Sequence, residues 1–168
     1  MSLYIRPVQT ADMTAVTAIY NHYVPHTIVT FDEDLVSVEA LTCKMEATVL
    51  RFPWLVAEEK SEILGYAYAS SFRVKPAYRH TVETTIYLAP EQVGRGVGRT
   101  LYRALLMRLQ EQGLRQALGV IAIPNEPSIA LHKKLGFQCQ GRLVRVGYKL
   151  NQWIDTEYWQ LDLEVWQP

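Results

Sequence analysis

Between Thr81 and Asn125 the chain reads strand, glycine-rich turn, helix, strand, and no other stretch constrains the fold as tightly. Thr81-Val82-Glu83-Thr84-Thr85-Ile86-Tyr87-Leu88 is rich in β-branched and aromatic residues, as a half-buried strand should be. Gly94-Arg95-Gly96-Val97-Gly98-Arg99-Thr100 follows, and Leu101, Leu105, Leu106 and Leu109 then recur at helical spacing as far as Gly113. Glycines let a backbone approach a ligand closely, and a new helix points unpaired N–H groups at whatever sits there. Arg95 and Arg99 add positive charge, so the turn predicts a phosphate or pyrophosphate site. Its spacing excludes two common versions. A P-loop needs a lysine after its last glycine, and none follows here. A dinucleotide fingerprint needs a further glycine three residues on, where Arg99 or Leu101 stands instead.

A chain of 168 residues fits one domain, large enough to bury about 70% of its unfolded surface. Its net charge of zero leaves no broad basic field for nucleic acid or an anionic membrane. Met1-Ser2-Leu3-Tyr4-Ile5-Arg6-Pro7 lacks the apolar run of a secretion signal, and no stretch is long and apolar enough to span a membrane. Cys43 and Cys139 have neither metal-type spacing nor a disulfide pattern, which predicts buried free thiols in a cytoplasmic protein. His22 and His26 are four apart, but Pro25 breaks the helix between them and no carboxylate completes a ligand set. No metal site is expected.

No linker or repeat interrupts the chain. Tyr4 to Val8 reads as a strand; Asp12 reads as the N-cap of a helix bearing Val16, Ile19, Tyr20 and Tyr23 on one face, which Pro25 ends. Residues 24–36 form a loop carrying Phe31, and a second helix runs from Ser37 to about Leu50. Trp54–Glu58 and Ile63–Ala69 suggest a hairpin, followed by a basic loop over 71–80. Beyond the glycine turn come a strand at Ala117–Ile123, a short helix at Ser128–Leu135, and strands at Arg142–Lys149 and Glu157–Val165. Helices and strands mix without regular βαβ alternation, so the expected class is α/β of the mixed α+β kind: a mostly antiparallel sheet flanked by helices.

Arg95-Gly96-Val97-Gly98-Arg99-Thr100-Leu101-Tyr102, then Asn125, then Leu131-His132-Lys133-Lys134-Leu135-Gly136-Phe137, resemble the Gcn5-related N-acetyltransferase (GNAT) superfamily. One position departs from its pattern: Val93 stands where Gln or Arg is usual, with Gln92 one place early. Further blocks resemble the phosphinothricin, methionine sulfoximine and methionine sulfone acetyltransferase branch. They are Asn21-His22-Tyr23, Val29-Thr30-Phe31, Phe52 to Glu58, Thr81-Val82-Glu83, Pro124 to Ser128, Gly147-Tyr148-Lys149 and Trp159 to Asp162. The resemblance implies a GNAT fold in which two neighbouring strands splay to hold acetyl-CoA. It also implies a homodimer acting on a small amino-acid-like substrate, with direct transfer of the acetyl group.

Acetyl transfer from a thioester to an amine requires a base for the ammonium, a donor for the tetrahedral oxyanion, and a proton or positive charge for the thiolate. Glu83 is the candidate base. By periodicity alone it reads as an outward-facing strand glutamate; the resemblance reverses that reading, and partial burial would raise its pKa usefully. His132 is the second catalytic candidate, as a protonated or hydrogen-bond-donating imidazole beside the thiolate, against the plainer reading of a packing residue. The implied cofactor-binding set is Ile86, Tyr87 and Leu88 on the strand, Val93, Gly94, Arg95, Gly96, Val97, Gly98, Arg99 and Thr100 in the turn, and Asn125 and Ser128 beyond it. Amides of Tyr87 and Leu88 are expected to pair with the cofactor arm, and that of Leu88 to serve the oxyanion. Phe31, Arg73, Lys75, Tyr78, Thr81, Glu83, Tyr148 and Lys149 make up the expected substrate-binding set, the last pair reaching a neighbouring subunit's site. Arg79 reads as a solvated member of the basic loop. That loop argues against a polycationic acceptor such as a polyamine or aminoglycoside, and the presence of both Glu83 and His132 argues against a sensor that binds acetyl-CoA without turnover.

Overall fold

The computed structural model describes residues 3–168. Met1 and Ser2, which open the N-terminal stretch read above, lie outside the described residues. The chain runs β1 (Tyr4–Pro7), α1 (Met13–Tyr23), α2 (Val38–Val49), β2 (Trp54–Glu59), β3 (Glu62–Ser71), β4 (Thr81–Leu88), α3 (Val97–Glu111), β5 (Gln116–Ile123), α4 (Glu126–Lys134), β6 (Gln138–Lys149) and β7 (Gln152–Asp162). The strands form one sheet in the order β1-β2-β3-β4-β5-β7-β6. Every pairing is antiparallel except β4 with β5.

Alternation along the strands gives the sheet two apolar faces. Leu55, Ala57, Ala67, Ala69 and Val82 pack against α3, whose Leu101, Leu105 and Leu109 are fully buried. Each such leucine contributes about 2 kcal/mol through removal from water. Trp54, Val56, Tyr66 and Tyr68 face the other way, against Met13, Val16 and Ile19 of α1 and Leu41 and Met45 of α2. The indole of Trp54 stacks on the Tyr68 ring at 4.1 Å, which stiffens that face.

The one parallel pairing opens the molecule. β4 and β5 are in register only from Thr81↔Gln116 to Glu83↔Leu118. Past that point β4 stays with β3 as far as Leu88↔Gly65, while β5 stays with β7 as far as Ile123↔Asp155. Each strand is committed to its other neighbour, and the two part into a cleft.

Several sequence expectations need correction. Asp12 precedes α1 but makes no side-chain cap to it; its carboxylate accepts from the Gln9 N–H at 2.7 Å and from Arg6 at 2.7 and 2.8 Å. Cys43 and Cys139 are exposed, not buried, one on the outer side of α2 and the other on the sheet-edge strand β6. The last two strands begin earlier than read, and β7 ends at Asp162 rather than Val165. Leu150 and Asn151, at φ of 53° and 59°, make a two-residue hairpin turn that starts β7 at Gln152. Asn151 and Gln152 at that start and Asp155 soon after it break the apolar pattern and hide it from a reading based on hydrophobicity.

Candidate active site

The parting of β4 from β5 leaves one edge of β4 without a strand partner beyond Glu83. Which amides it offers follows from the ladder on the other side. The Ala89 N–H donates to Leu64 O, so by two-residue alternation Tyr87 also points its N–H at β3, while Ile86 and Leu88 point theirs into the cleft. The expectation for Tyr87 is thereby corrected: its amide belongs to the sheet. The Leu88 carbonyl, on the cleft side, accepts from the Tyr23 hydroxyl at 2.6 Å.

The glycine turn stands at the end of this edge. Gly94 and Gly96 have φ of +84° and +85°, which only glycine adopts without strain, and Gly96 is the N-cap of α3. No side chain caps that helix. The first intrahelical bond is Thr100 N–H to Gly96 O, so the amides of Val97, Gly98 and Arg99 keep their donors for a ligand. A Cβ on Gly98 would lie 3.1 Å from the Leu88 side chain, so the bare glycine lets helix and strand converge. Asn125 caps α4 through Oδ1, which accepts from the Ser128 N–H at 3.2 Å, and the residue lines the cleft with its amide donors unused by that cap. Helix amides, free strand amides and this carboxamide suit the pyrophosphate and amide-bearing arm of a CoA thioester.

The cleft between β4 and β5 encloses about 270 Å³ and is lined by Phe31, Glu83, Ile86, Val120, Asn125 and His132, among others. Glu83 enters from the α1/α2 face. Burial raises its carboxyl above the ordinary carboxylate value, and the positive charge of Lys44 on α2 opposes that rise. Phe31 reaches the cleft by lying on Gly147, where a Cβ would sit 2.4 Å from its ring. The backbone beside Phe31 is held from below, since Lys149 Nζ donates to Thr30 O at 2.7 Å. Lys149 is only 3% exposed, so it braces its own chain's loop and is not available to a neighbouring subunit.

His132 enters from the opposite, α3/α4 face. It is 3% exposed, and burial drives its pKa down to about 4, with the bond to Ser128 opposing. The imidazole is therefore neutral near pH 7, and a standing imidazolium is ruled out as its resting form. Nδ1 lies 2.8 Å from Ser128 O, which can only accept, so Nδ1 carries the proton. Nε2 then accepts from the Tyr102 hydroxyl at 3.1 Å, and Tyr102 in turn lies 2.6 Å from Thr84 Oγ1. Thr84 also stands 2.9 Å from Leu118 O, across the point where the strands part. With Nε2 and Leu118 O both accepting, the two hydroxyl hydrogens fill two of the three contacts; a proton arriving at Nε2 supplies the third, giving Nε2–H to Tyr102, Tyr102 to Thr84 and Thr84 to Leu118 O. Gly119 makes the row possible, because a Cβ there would fall 2.3 Å from Nε2.

Other expected substrate residues are not brought together. Arg73, Lys75 and Tyr78 stand on the exposed 72–80 loop outside the cleft lining; Arg73 lies over the Phe72 ring at 4.9 Å. Thr81 opens β4 at the closed end of the split, and Tyr148 is exposed against Trp153. Sequence reasoning missed Lys44, Tyr68, Thr84, Tyr102 and Gly119. Of these only Gly119 carries a sequence signal, since a lone glycine inside an otherwise apolar strand marks a close approach. Among the described residues no cluster of His, Cys, Asp and Glu suits a metal ion, and no helix is long and apolar enough to cross a membrane.

The split sheet, the uncapped glycine turn and a half-buried glutamate define an acyl-CoA-dependent transferase site. Residues 5–158 match the acetyltransferase (GNAT) domain, and the chain belongs to that family of N-acetyltransferases. It is 39% identical to a phosphinothricin N-acetyltransferase of Streptomyces viridochromogenes over 98% of this chain and 90% of the relative. An L-methionine sulfoximine/L-methionine sulfone acetyltransferase of Pseudomonas paraeruginosa is 36% identical, with 98% and 96% covered. The structure of a phosphinothricin acetyltransferase from Sinorhizobium meliloti in complex with AcCoA superposes with a TM-score of 0.92 at 36% identity, over 96% of this chain and 89% of that one.

Proposed function

We propose that the protein acetylates the α-amino group of a small amino acid or analogue from acetyl-CoA, with phosphinothricin, L-methionine sulfoximine and L-methionine sulfone as leading acceptors. The observation that carries this reading is a half-buried carboxylate, Glu83, in the same cleft as the free amides of β4. The names of its relatives supply the acceptor class.

Bound acetyl-CoA supplies an electrophilic thioester carbonyl and a thiolate leaving group. Amides of Val97, Gly98 and Arg99 hold its pyrophosphate, and Ile86 and Asn125 hold its arm. Glu83 takes a proton from the acceptor ammonium, directly or through water, and the freed amine attacks the carbonyl carbon. The Leu88 N–H donates to the oxyanion. The attacking nitrogen sheds a second proton as the C–S bond breaks. His132 receives it at Nε2 once the Tyr102 hydroxyl turns from Nε2 to Thr84, whose own hydrogen goes to Leu118 O, and returns it to sulfur. The products are the N-acetyl amino acid and free CoA, with one proton released through Glu83.

Release of CoA thiol from acetyl-CoA, measured with phosphinothricin, methionine sulfoximine, methionine sulfone and a polyamine, tests the reading. Turnover with one of the first three and none with the polyamine is expected; the reverse preference would overturn it. Homodimerisation belongs to the same reading. Exposed Leu143, Val144, Val146, Tyr148 and Trp153 on the β6–β7 hairpin support it, and sedimentation at micromolar concentration checks it.

A further inference from the structure

Lys44 stands on the exposed side of α2, near enough to Glu83 for its charge to act there, in a helix whose sequence shows only an ordinary amphipathic pattern. Its Nζ donates to the Tyr68 hydroxyl at 2.7 Å. Tyr68 is a firm anchor, buried on β3 and stacked on Trp54 with 14° between the planes. Tyr68 stands opposite Thr85, and Ser70 opposite Glu83, so Tyr68 and Glu83 project from the same face of adjacent strands. The influences on the Glu83 carboxyl are its burial and the charge of Lys44, and among the described residues the two groups are not joined as an ion pair. A cation is thus held beside the base while donors remain that neither Tyr68 nor Glu83 uses.

We propose that Lys44 receives the α-carboxylate of the acceptor amino acid and is the residue by which the enzyme distinguishes amino acids from simple amines. An α-amino acid carries its ammonium and carboxylate on one carbon. With the ammonium at Glu83, the carboxylate lies within the reach of a neighbouring lysine on the same face. A polyamine brings a second positive charge to the same place and meets repulsion. Arg73 and Lys75, on the exposed 72–80 loop, are not among the charges that act on the Glu83 carboxyl. This assignment rests on the proposed acceptor reading of the Glu83 side of the cleft.

The test compares methionine sulfone with its α-carboxamide, which keeps the amine and the side chain but lacks the carboxylate. Wild type, Lys44→Met, Lys44→Arg and Tyr68→Phe are assayed on the pH plateau at saturating acetyl-CoA. Loss of one charge-assisted contact predicts a rise in KM for the acid of about 10- to 100-fold in Lys44→Met. The carboxamide KM and the acetyl-CoA Kd should stay within about twofold, as for a neutral surface change. Lys44→Arg should recover most of the preference for the acid, and Tyr68→Phe, which frees the lysine, should fall between. An unchanged acid-to-amide ratio in Lys44→Met, with wild type preferring the acid, would overturn the role of Lys44 and leave the acceptor reading standing. Failure of the wild-type enzyme on both compounds, and on the other acceptors of the panel, overturns the acceptor reading itself and this assignment with it.

Discussion

Replacing Gly119 by alanine should injure the protein through one contact, and the size of the injury can be worked out. The new Cβ would lie 2.3 Å from His132 Nε2 and 2.8 Å from Cδ2. Ordinary contact distances require the ring to withdraw by about 1 Å. The Tyr102–Nε2 bond, already 3.1 Å long, would not survive that shift. Overpacking costs about 1–3 kcal/mol and the lost buried bond about 1–3 kcal/mol. Alanine's better strand entropy offsets about 0.5–1 kcal/mol. The net expectation is a loss of roughly 1–5.5 kcal/mol, or a melting temperature lower by roughly 2–22 °C for a chain of this size. Urea and thermal denaturation measure it, and kcat should fall while acetyl-CoA binding at the glycine turn persists. His132→Ala supplies the control: with the ring gone there is room for the Cβ, so adding Gly119→Ala should cost nothing or stabilise slightly. An equal loss in both backgrounds would refute the reasoning, because the contact with His132 would then not be the cause.

Glu83→Gln should abolish most turnover while leaving the acetyl-CoA Kd unchanged; unaltered kcat would remove Glu83 as the base. Because burial raises the Glu83 pKa, kcat/KM should rise with pH along a limb centred above the ordinary carboxylate value. Lys44→Met should move that limb to still higher pH, and a shift to lower pH would contradict the assignment. His132 links acidity to stability: its folded pKa, about 4, lies below the ordinary 6.5, so the unfolded chain binds the proton first. The stability it supports is complete above pH 6.5 and lost as pH falls toward 4, by about 3 kcal/mol in all. Urea titrations should show that slope in wild type and not in His132→Gln. Gly96→Val places a side chain at φ +85° on the proposed pyrophosphate turn and should weaken acetyl-CoA binding; unaffected affinity would exclude that turn as the cofactor site.

The elements and the family were legible in the chain because their causes are local. Branched residues mark β4, helical leucine spacing marks α3, and glycines able to take positive φ mark the turn between them. Glu83, Asn125 and Phe31 could be picked out as cleft residues because each lies within such a motif. Other features depend on residues far apart in sequence, and only the folded chain decides them. The cleft exists because β3 and β7 hold β4 and β5 apart, and whether Ile86 or Tyr87 offers its amide depends on the register with β3. His132 is neutral because α3, α4 and β5 close around it, and Lys149 braces Thr30 from 119 residues away. Lys44 looks like any exposed helical lysine until Tyr68 anchors it beside Glu83. Periodicity reports which face of an element is apolar; it carries no information about which two faces will meet, and charge and proton placement in this site are set where they meet.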